Sequence, residues 1–147
     1  ICNLYCKFIE YYRDMSSKLV TAVTELDQSN YKTKIFAGGH LIYADEPAEL
    51  GGTDEGMSPG ALLLASLGSC TAITIRMYAD RKSWPLDGIK IHLAICEEKE
   101  MSEQTTISRK IEFNGELTDE QRQRLMAIAD KCPIHKILSN PIKVLTD

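Results

Sequence analysis

Alternating apolar and polar residues predict a small sheet in the first part of the chain. Residues 18–26 are rich in β-forming residues, residues 31–36 alternate as in a half-buried β-strand, and residues 40–44 follow as a third strand. Gly38-Gly39 can supply the positive φ angles of a tight hairpin between the second and third of these strands. The pattern therefore predicts a three-stranded antiparallel meander, followed by an acidic loop at residues 45–57.

A long apolar stretch then predicts a helix, and a second alternating region predicts a hairpin. Ser58 can cap the helix and Pro59 suits its first position, so we expect it to run to about Arg81. Residues 89–96 and 105–113 alternate again, with a polar loop at 97–104 between them. These two segments should pair as antiparallel strands.

The C-terminal third predicts a second helix that ends close to a cysteine. Thr118-Asp119-Glu120-Gln121 has the form of a capping box, and the apolar face of the helix it starts leads to Cys132. Pro133 should end that helix and can begin a short new one, and residues 142–145 predict a last strand. Because strands and helices are segregated along the chain, the predicted fold class is α+β.

The central helix is apolar on nearly all sides. A helix of this kind must be covered on nearly all sides, which in so short a chain suggests a sheet on one side and a second subunit on the other. A membrane span is the competing interpretation. Arg76 and Asp80 interrupt the apolar run before the roughly 20 residues that a bilayer requires, so we expect no span.

Composition favours a cytoplasmic protein whose main partner is not nucleic acid. The chain has 147 residues and a net charge of −4, without a block of Lys and Arg. Five cysteines without framework spacing argue against a disulfide scaffold and fit a reducing compartment. Met15 resembles a natural start, so we expect residues 1–17 to be an appendage and residues 18–147 to form a single domain.

Cys70 and the Cys132-Pro133-Ile134-His135 segment are the strongest candidates for chemistry. If Pro133 begins a helix, Cys132 lies at its cap, where free N–H groups favour a thiolate. His135 could hydrogen-bond to that thiolate or relay a proton. Local electrostatics therefore make Cys132 the more acidic thiol, whereas Cys70 needs a cation supplied by the tertiary fold.

Two alternatives to redox chemistry stay open for these residues. Cys70 can be a small buried hydrophobic residue with no further role. Zinc is the other alternative, with Cys70, Cys132 and His135 as ligands and His40 or His92 as the fourth. No second closely spaced pair accompanies C-x-x-H, so we expect no metal.

Arg109 stands on the apolar face of its predicted strand. It has the same parity as Ile107 and Ile111. An edge-strand charge that discourages aggregation is the favoured interpretation, and an inward cation that serves a site is the other.

Two segments resemble known motifs of one family. SPGALLLASLGSC at residues 58–70, with MYADRK at 77–82, resembles the central helix of OsmC/Ohr-type proteins, and KCPIH at 131–135 resembles their second cysteine motif. The resemblance extends over about residues 18–147. The segment YKTKIFAGGHLIYADEP and the CPIH ending are similar to a less characterised branch of the family.

The resemblance implies an intertwined homodimer with its active site at the subunit interface. It implies reduction of organic hydroperoxides in which Cys70 attacks the peroxide, becomes a sulfenic acid and is resolved by Cys132. A dithiol reductant, for example of the lipoyl type, would restore the thiols, and no cofactor or metal is required. The apolar residues around Cys70 would suit an apolar substrate; they are Leu63, Leu67, Ile73 and Met77.

The chain also departs from the family pattern. Gly60 stands where well-characterised peroxidases carry a glutamate, and residues 18–60 contain no arginine. The candidate replacements for the carboxylate are Glu46, Glu49 and Glu55, and those for the cation are Arg109, Lys32, Lys34 and His40, with His135 in support. These departures favour the alternative function, a non-enzymatic OsmC-fold protein that binds a small apolar or thiol-reactive ligand between subunits.

Overall fold

The structure is a computed structural model that describes residues 20–28, 30–96 and 105–146. It divides after Pro59 into two compact units. The predicted appendage at residues 1–17 and the predicted polar loop at 97–104 lie outside the described residues. The single domain over residues 18–147 stays a prediction.

The first unit contains the predicted antiparallel meander. Strands β1 (Ala22–Glu25), β2 (Thr33–Ala37) and β3 (His40–Ala44) pair in the order β1-β2-β3. Gly38 and Gly39 have φ angles of 57° and 81°, and the pair Ala37 and His40 closes the hairpin on either side of them. The tight glycine hairpin is therefore confirmed, because two consecutive positive φ angles match the twist of the flanking strands.

The acidic loop after β3 is organised by one buried carboxylate. Asp45 is only 2% exposed and accepts hydrogen bonds from the backbone N–H groups of Glu46, Thr53 and Glu55 and from the Thr53 hydroxyl, the last at 2.6 Å. These bonds, with the Thr53 hydroxyl as the largest cause, lower the pKa of Asp45 from its ordinary 3.8 to about 2. The sequence analysis missed the short 3-10 helix at Ala48–Leu50 within this loop.

The second unit begins with a long helix and continues with a hairpin and two more helices. The helices are α1 (Pro59–Arg81), α2 (Asp119–Ala129) and α3 (Pro133–Leu138), and the strands are β4 (Gly88–Cys96) and β5 (Thr106–Asn114). Thr118 and Gln121 form the predicted capping box of α2, and Pro133 begins α3 as expected.

One apolar cluster holds the second unit together. Its buried members come from α1, α2 and the turns beside the hairpin: Ile75, Tyr78, Ala79, Leu86, Leu117, Leu125 and Ala129. Partly buried residues of β4 and β5, including Ile89 and Ile111, pack against this cluster. Gly68 allows close approach between α1 and β4, because a Cβ there would lie 3.0 Å from a methyl carbon of Leu93.

Two arginines fix the turns at one end of the hairpin. Arg76 of α1 donates to the carbonyl oxygens of Leu86 and Asp87 before β4. Arg122 of α2 donates to the carbonyl oxygens of Phe113 and Gly115, each at 3.0 Å. These contacts satisfy backbone groups where the strands begin and end, so they stabilise the connection between helices and hairpin.

Helix α1 is long and apolar enough to cross a membrane by length and composition alone. Its burial gives another reason for that composition, since Ile75, Tyr78 and Ala79 contribute to the apolar cluster. The helix also carries an ion pair between Arg76 and Asp80, at 3.6 Å. Part of the apolar surface of α1 is therefore used in the core of the second unit, whereas only 22% of its most apolar window is buried.

The predicted last strand is wrong. Residues 142–145 have no strand pairing with the described part of the chain. Ile142, Val144 and Leu145 are 60%, 83% and 76% exposed. Their alternating pattern is compatible with a strand, but a strand also needs a sheet edge whose N–H and C=O groups face it.

Replacement of Asp45 by asparagine should loosen the acidic loop. An amide has one acceptor oxygen and cannot replace a carboxylate that accepts four hydrogen bonds, so we expect the Thr53 and Glu55 amides to exchange about tenfold faster or more. Glu49→Gln, an exposed change in the same loop, is the control. In the wild type the same loosening should appear on acidification, because the stabilisation is complete above pH 3.8 and is lost as the pH falls through about 2. Unchanged exchange in Asp45→Asn would contradict this role.

Candidate functional site

The structure brings Cys70 and Cys132 together in the second unit. Cys70 lies in the middle of α1 and is half-buried, whereas Cys132 precedes α3 and is fully buried. Both are free thiols, and they are close enough for the Cys132 side chain to raise the pKa of Cys70. Two sulfurs far apart in the sequence are thus neighbours in the fold.

The surroundings of Cys70 keep its thiol protonated. Burial is the largest cause, and with the neighbouring Cys132 it raises the pKa of Cys70 from 9.0 to about 11. Hydrogen bonds from the Ile134 backbone N–H and the Thr74 hydroxyl lower the pKa but do not offset these effects. A thiol whose pKa is raised in this way is largely protonated at pH 7.

The first turn of α3 serves Cys70 rather than Cys132. We expected the free N–H groups after Pro133 to favour a thiolate at Cys132. In the structure the Cys132 side chain makes no capping hydrogen bond, and the Ile134 N–H donates to the Cys70 sulfur. Helix packing brings the Cys70 sulfur to this turn, and the residues around Cys132 give no sign of it in the sequence.

The Thr74 hydroxyl interacts with the Cys70 thiol. It is 1% exposed, its oxygen lies 2.8 Å from the Cys70 carbonyl oxygen, and it also hydrogen-bonds the Cys70 sulfur. A hydroxyl has one proton to donate, so donation to the sulfur competes with donation to the carbonyl. The interaction of the hydroxyl with the sulfur lowers the pKa of Cys70.

Arg109 is turned into the second unit and does not act as an edge-strand charge. Its guanidinium donates to the Thr71 hydroxyl at 3.1 Å, the Ala129 carbonyl oxygen at 3.4 Å and the Asp130 carboxylate at 2.6 Å. The favoured interpretation from the sequence is wrong here, because the helices α1 and α2 cover the face of β5 on which Arg109 lies. The groups that act most strongly on the Cys70 pKa do not include this guanidinium.

His135 and Arg109 line one groove in the second unit. The groove has a volume of about 420 Å³. Its lining combines apolar side chains with these two basic ones and is formed by Leu67, Ile107, Arg109, His135, Leu138 and Ser139. An apolar molecule with a polar end could be accommodated there.

The four residues expected to line a substrate pocket are not equivalent in the structure. Leu67 is buried and borders the groove, and Met77 is half-buried. Leu63 and Ile73 are 42% and 54% exposed. A pocket that used all four would need a further surface to cover the exposed side of α1.

The other candidate supporting residues belong to the first unit. Glu55 forms an ion pair with Lys32, so each of these charges already has a partner. Glu46 is half-buried, and Glu49 and His40 are exposed. Their contribution to the chemistry of Cys70 stays a prediction. At Gly60, in the second unit, an added Cβ would face the apolar Ile95 side chain at 3.9 Å.

Three polar residues near the thiols escaped the sequence analysis. Thr71 and Thr74 are buried on α1, and Asp130 is the acceptor for Arg109 at the end of α2. The sequence contains a signal for the two threonines, because polar residues beside a cysteine on a buried helical face need hydrogen-bond partners. The described residues 20–28, 30–96 and 105–146 contain no group of three His, Cys, Asp or Glu placed to hold a metal ion.

The sequence and the fold identify the family. The OsmC-like protein family matches the chain over residues 52–147, more than half of its length. The chain therefore belongs to the OsmC-like family. A comparison with curated proteins gives no match.

Solved structures show that the fold is that of OsmC-like proteins. A candidate osmotic-stress-induced and detoxification response protein from Psychrobacter arcticus has 24% identity and a TM-score of 0.67, covering 82% of this chain and 88% of its own. An OsmC-like protein from Mycoplasma pneumoniae has 17% identity and a TM-score of 0.70, covering 83% and 88%. An organic hydroperoxide resistance protein from Legionella pneumophila has 17% identity and a TM-score of 0.61, covering 82% and 89%.

Replacement of Thr74 by valine should make Cys70 less reactive. Valine keeps the shape but removes the hydroxyl that lowers the pKa of Cys70, so the pH midpoint of its alkylation should move upward. Below the midpoint the labelling rate is proportional to the thiolate fraction, so rates of iodoacetamide labelling from pH 7 to 10, followed by peptide mass spectrometry, give the shift of the midpoint, with the exposed Cys96 as an internal reference for the reagent. Thr71→Val is the matched control, because Thr71 is equally buried but bonds Arg109. Equal midpoints in both variants would contradict the assignment.

Proposed function

We propose that this protein reduces organic hydroperoxides with the Cys70–Cys132 dithiol. The observation that carries the proposal is the proximity of the two thiols, of which Cys132 is fully buried and Cys70 is half-buried. The family and the fold support a peroxide-related role, since an organic hydroperoxide resistance protein shares the fold. The reaction needs only thiol chemistry and no bound cofactor.

The proposed cycle has two steps at the protein. The Cys70 thiolate attacks the terminal oxygen of ROOH, the O–O bond breaks, and a proton converts the leaving group to ROH, which leaves a sulfenic acid on Cys70. The Cys132 sulfur then attacks the Cys70 sulfur, the S–O bond breaks, and water leaves as the Cys70–Cys132 disulfide forms. A dithiol reductant of the cytoplasm, for example of the lipoyl type, reduces the disulfide and completes the cycle.

The first step is favoured by a positive charge near Cys70, and the causes of the Cys70 pKa shift among the described residues include no cation. A thiol with a raised pKa is a poor nucleophile at pH 7. Arg109, a candidate cation on β5, is bonded to Thr71, Ala129 and Asp130 instead. We infer that the active form is a homodimer in which the partner subunit completes the site and lowers the pKa of Cys70.

The exposed apolar side of α1 supports this homodimer. Ile73, three residues after Cys70, is 54% exposed, and Leu63 is 42% exposed on the same helix. An apolar surface beside a reactive thiol is stabilised when a second subunit removes it from water. The same contact would exclude water from the thiols and enclose an apolar substrate.

Replacement of Ile73 by glutamate should convert the dimer to a monomer. The carboxylate would have to be buried without a partner in the interface, which opposes association. Sedimentation equilibrium measures the oligomeric state, and in the monomer Cys70 should be alkylated only at high pH, with a midpoint near 11. Met126→Glu on α2 is the control, because Met126 is 45% exposed and lies away from Cys70 in sequence and element. A monomeric wild-type protein would contradict the proposed homodimer.

Replacement of each cysteine by serine should block a different step of the proposed cycle. Cys70→Ser should abolish the consumption of cumene hydroperoxide, because serine cannot form a sulfenic acid. Cys132→Ser should still react once and should retain a sulfenic acid that dimedone traps. Cys96→Ser, an exposed thiol of the same unit, is the matched control and should keep full turnover. If the wild type consumes no hydroperoxide with any dithiol reductant, the enzymatic function is wrong.

A non-enzymatic role is the second candidate function, and the high pKa of Cys70 is the observation that favours it. In that case the OsmC-like fold binds a small apolar or thiol-reactive ligand between subunits. Intact-mass measurement after mild peroxide treatment separates the two functions. Loss of two hydrogen masses per chain, mapped to Cys70 and Cys132, supports redox cycling, and an unchanged mass supports ligand binding.

A further inference from the structure

Arg109 joins the two chain segments that carry the reactive thiols. On one side its Nη1 atom donates to the hydroxyl of Thr71, the residue that follows Cys70 in α1, at 3.1 Å. On the other side it donates to the end of α2, at the Ala129 carbonyl oxygen and the Asp130 carboxylate, at 3.4 and 2.6 Å. One guanidinium thus bonds the neighbours of both cysteines.

The link to Cys132 passes through a shared acceptor. The Ala129 carbonyl oxygen accepts from Arg109 and also from the backbone N–H of Cys132, each at 3.4 Å. Movement of this carbonyl oxygen would therefore move the Cys132 backbone and, with it, the Cys132 sulfur. Thr71 and Ala129, two of the residues that accept hydrogen bonds from Arg109, are 0% and 1% exposed. Water therefore does not readily replace the guanidinium at these acceptors.

The shape of arginine suits this task. Its planar fork presents several N–H groups in fixed directions, so three acceptors on two helices are held in one geometry. The Arg109 side chain is 14% exposed, which restricts alternative arrangements. Lysine would keep the charge but would lose the fixed fork.

We propose that Arg109 is a positioning residue that holds Cys132 against Cys70 and thereby stabilises the disulfide between them. The inference rests on the proposed function, because it concerns the second step of that cycle. Arg109 acts through its hydrogen bonds to Thr71, Ala129 and Asp130 and not through a bond to the reacting sulfurs. Its effect should appear in the equilibrium and rate of disulfide formation and not in the attack of Cys70 on the peroxide.

The test is the thiol–disulfide equilibrium of the full chain with dithiothreitol. In this exchange the protein dithiol gives two electrons and two protons to oxidised dithiothreitol and becomes the Cys70–Cys132 disulfide. Alkylation and mass spectrometry of the quenched mixtures give the equilibrium constant. Arg109→Lys should lower it about tenfold, which corresponds to a reduction potential about 30 mV higher.

Arg122→Lys is the matched control. Arg122 also bonds two backbone carbonyl oxygens, those of Phe113 and Gly115, but it lies on the hairpin side of α2. Its equilibrium constant should stay within about twofold of the wild type, because a purely structural change lowers the melting temperature without a selective effect on one disulfide. Equal equilibrium constants in the two variants would overturn the proposal.

Asp130→Ala is the second variant and decides the matter if Arg109→Lys does not fold. Asp130 is 59% exposed, so its loss should be tolerated while one of the three contacts of Arg109 is removed. We expect the equilibrium constant to fall about threefold. An unchanged constant in this variant would overturn the proposal.

Hydroperoxide consumption, measured on the same proteins, separates this inference from the proposed function. A shifted equilibrium without peroxide consumption means that Arg109 positions the thiols although the peroxidase function is wrong. Peroxide consumption with an unshifted equilibrium means that the function holds and the positioning role is wrong. A wild-type protein that forms no Cys70–Cys132 disulfide with oxidised dithiothreitol would overturn the positioning role.

Discussion

Helix α1 has more apolar surface than one neighbouring layer can cover, and this constraint accounts for much of the second unit. The hairpin and α2 cover the side that carries Ile75 and Ala79, which are fully buried. Ile73, almost opposite on the helix, is 54% exposed. Cys70 lies between these two sides and is half-buried, so the same packing that forms the core also places a thiol at its edge.

The structure separates the proximity of the thiols from their activation. Proximity is provided within the second unit, where Cys132 contacts Cys70 and the Ile134 N–H donates to the Cys70 sulfur. The described residues of the second unit do not activate Cys70, because burial dominates and raises its pKa to about 11. In the proposed function a further positive charge activates this thiol, which connects the proposed chemistry to the proposed dimer.

Predictions from the sequence were confirmed where neighbouring residues determine the local structure. They were wrong where a sheet edge or a helix distant in sequence determines it. The glycine hairpin of the meander, the capping box at Thr118 and the helix that begins at Pro133 were predicted from neighbouring residues alone. The last strand was wrong, because the alternation at residues 142–145 carries no information about a sheet edge. The interpretation of Arg109 was wrong for a related reason, since the helices that bind its guanidinium are distant in sequence.

The sequence by itself determined the α+β class and the order of the five strands and three α-helices up to Leu138, because periodicity and capping depend on residues a few positions apart. The two cysteine motifs were recognised through the resemblance to OsmC/Ohr-type proteins. Only the tertiary structure decided that Ile134 serves the thiol of Cys70, that Arg109 bonds the segments beside both thiols, and that Cys70 is hard to ionise. These properties arise from hydrogen bonds and desolvation between residues separated by tens of positions. Such interactions exist only after packing brings the groups together and removes water from around them.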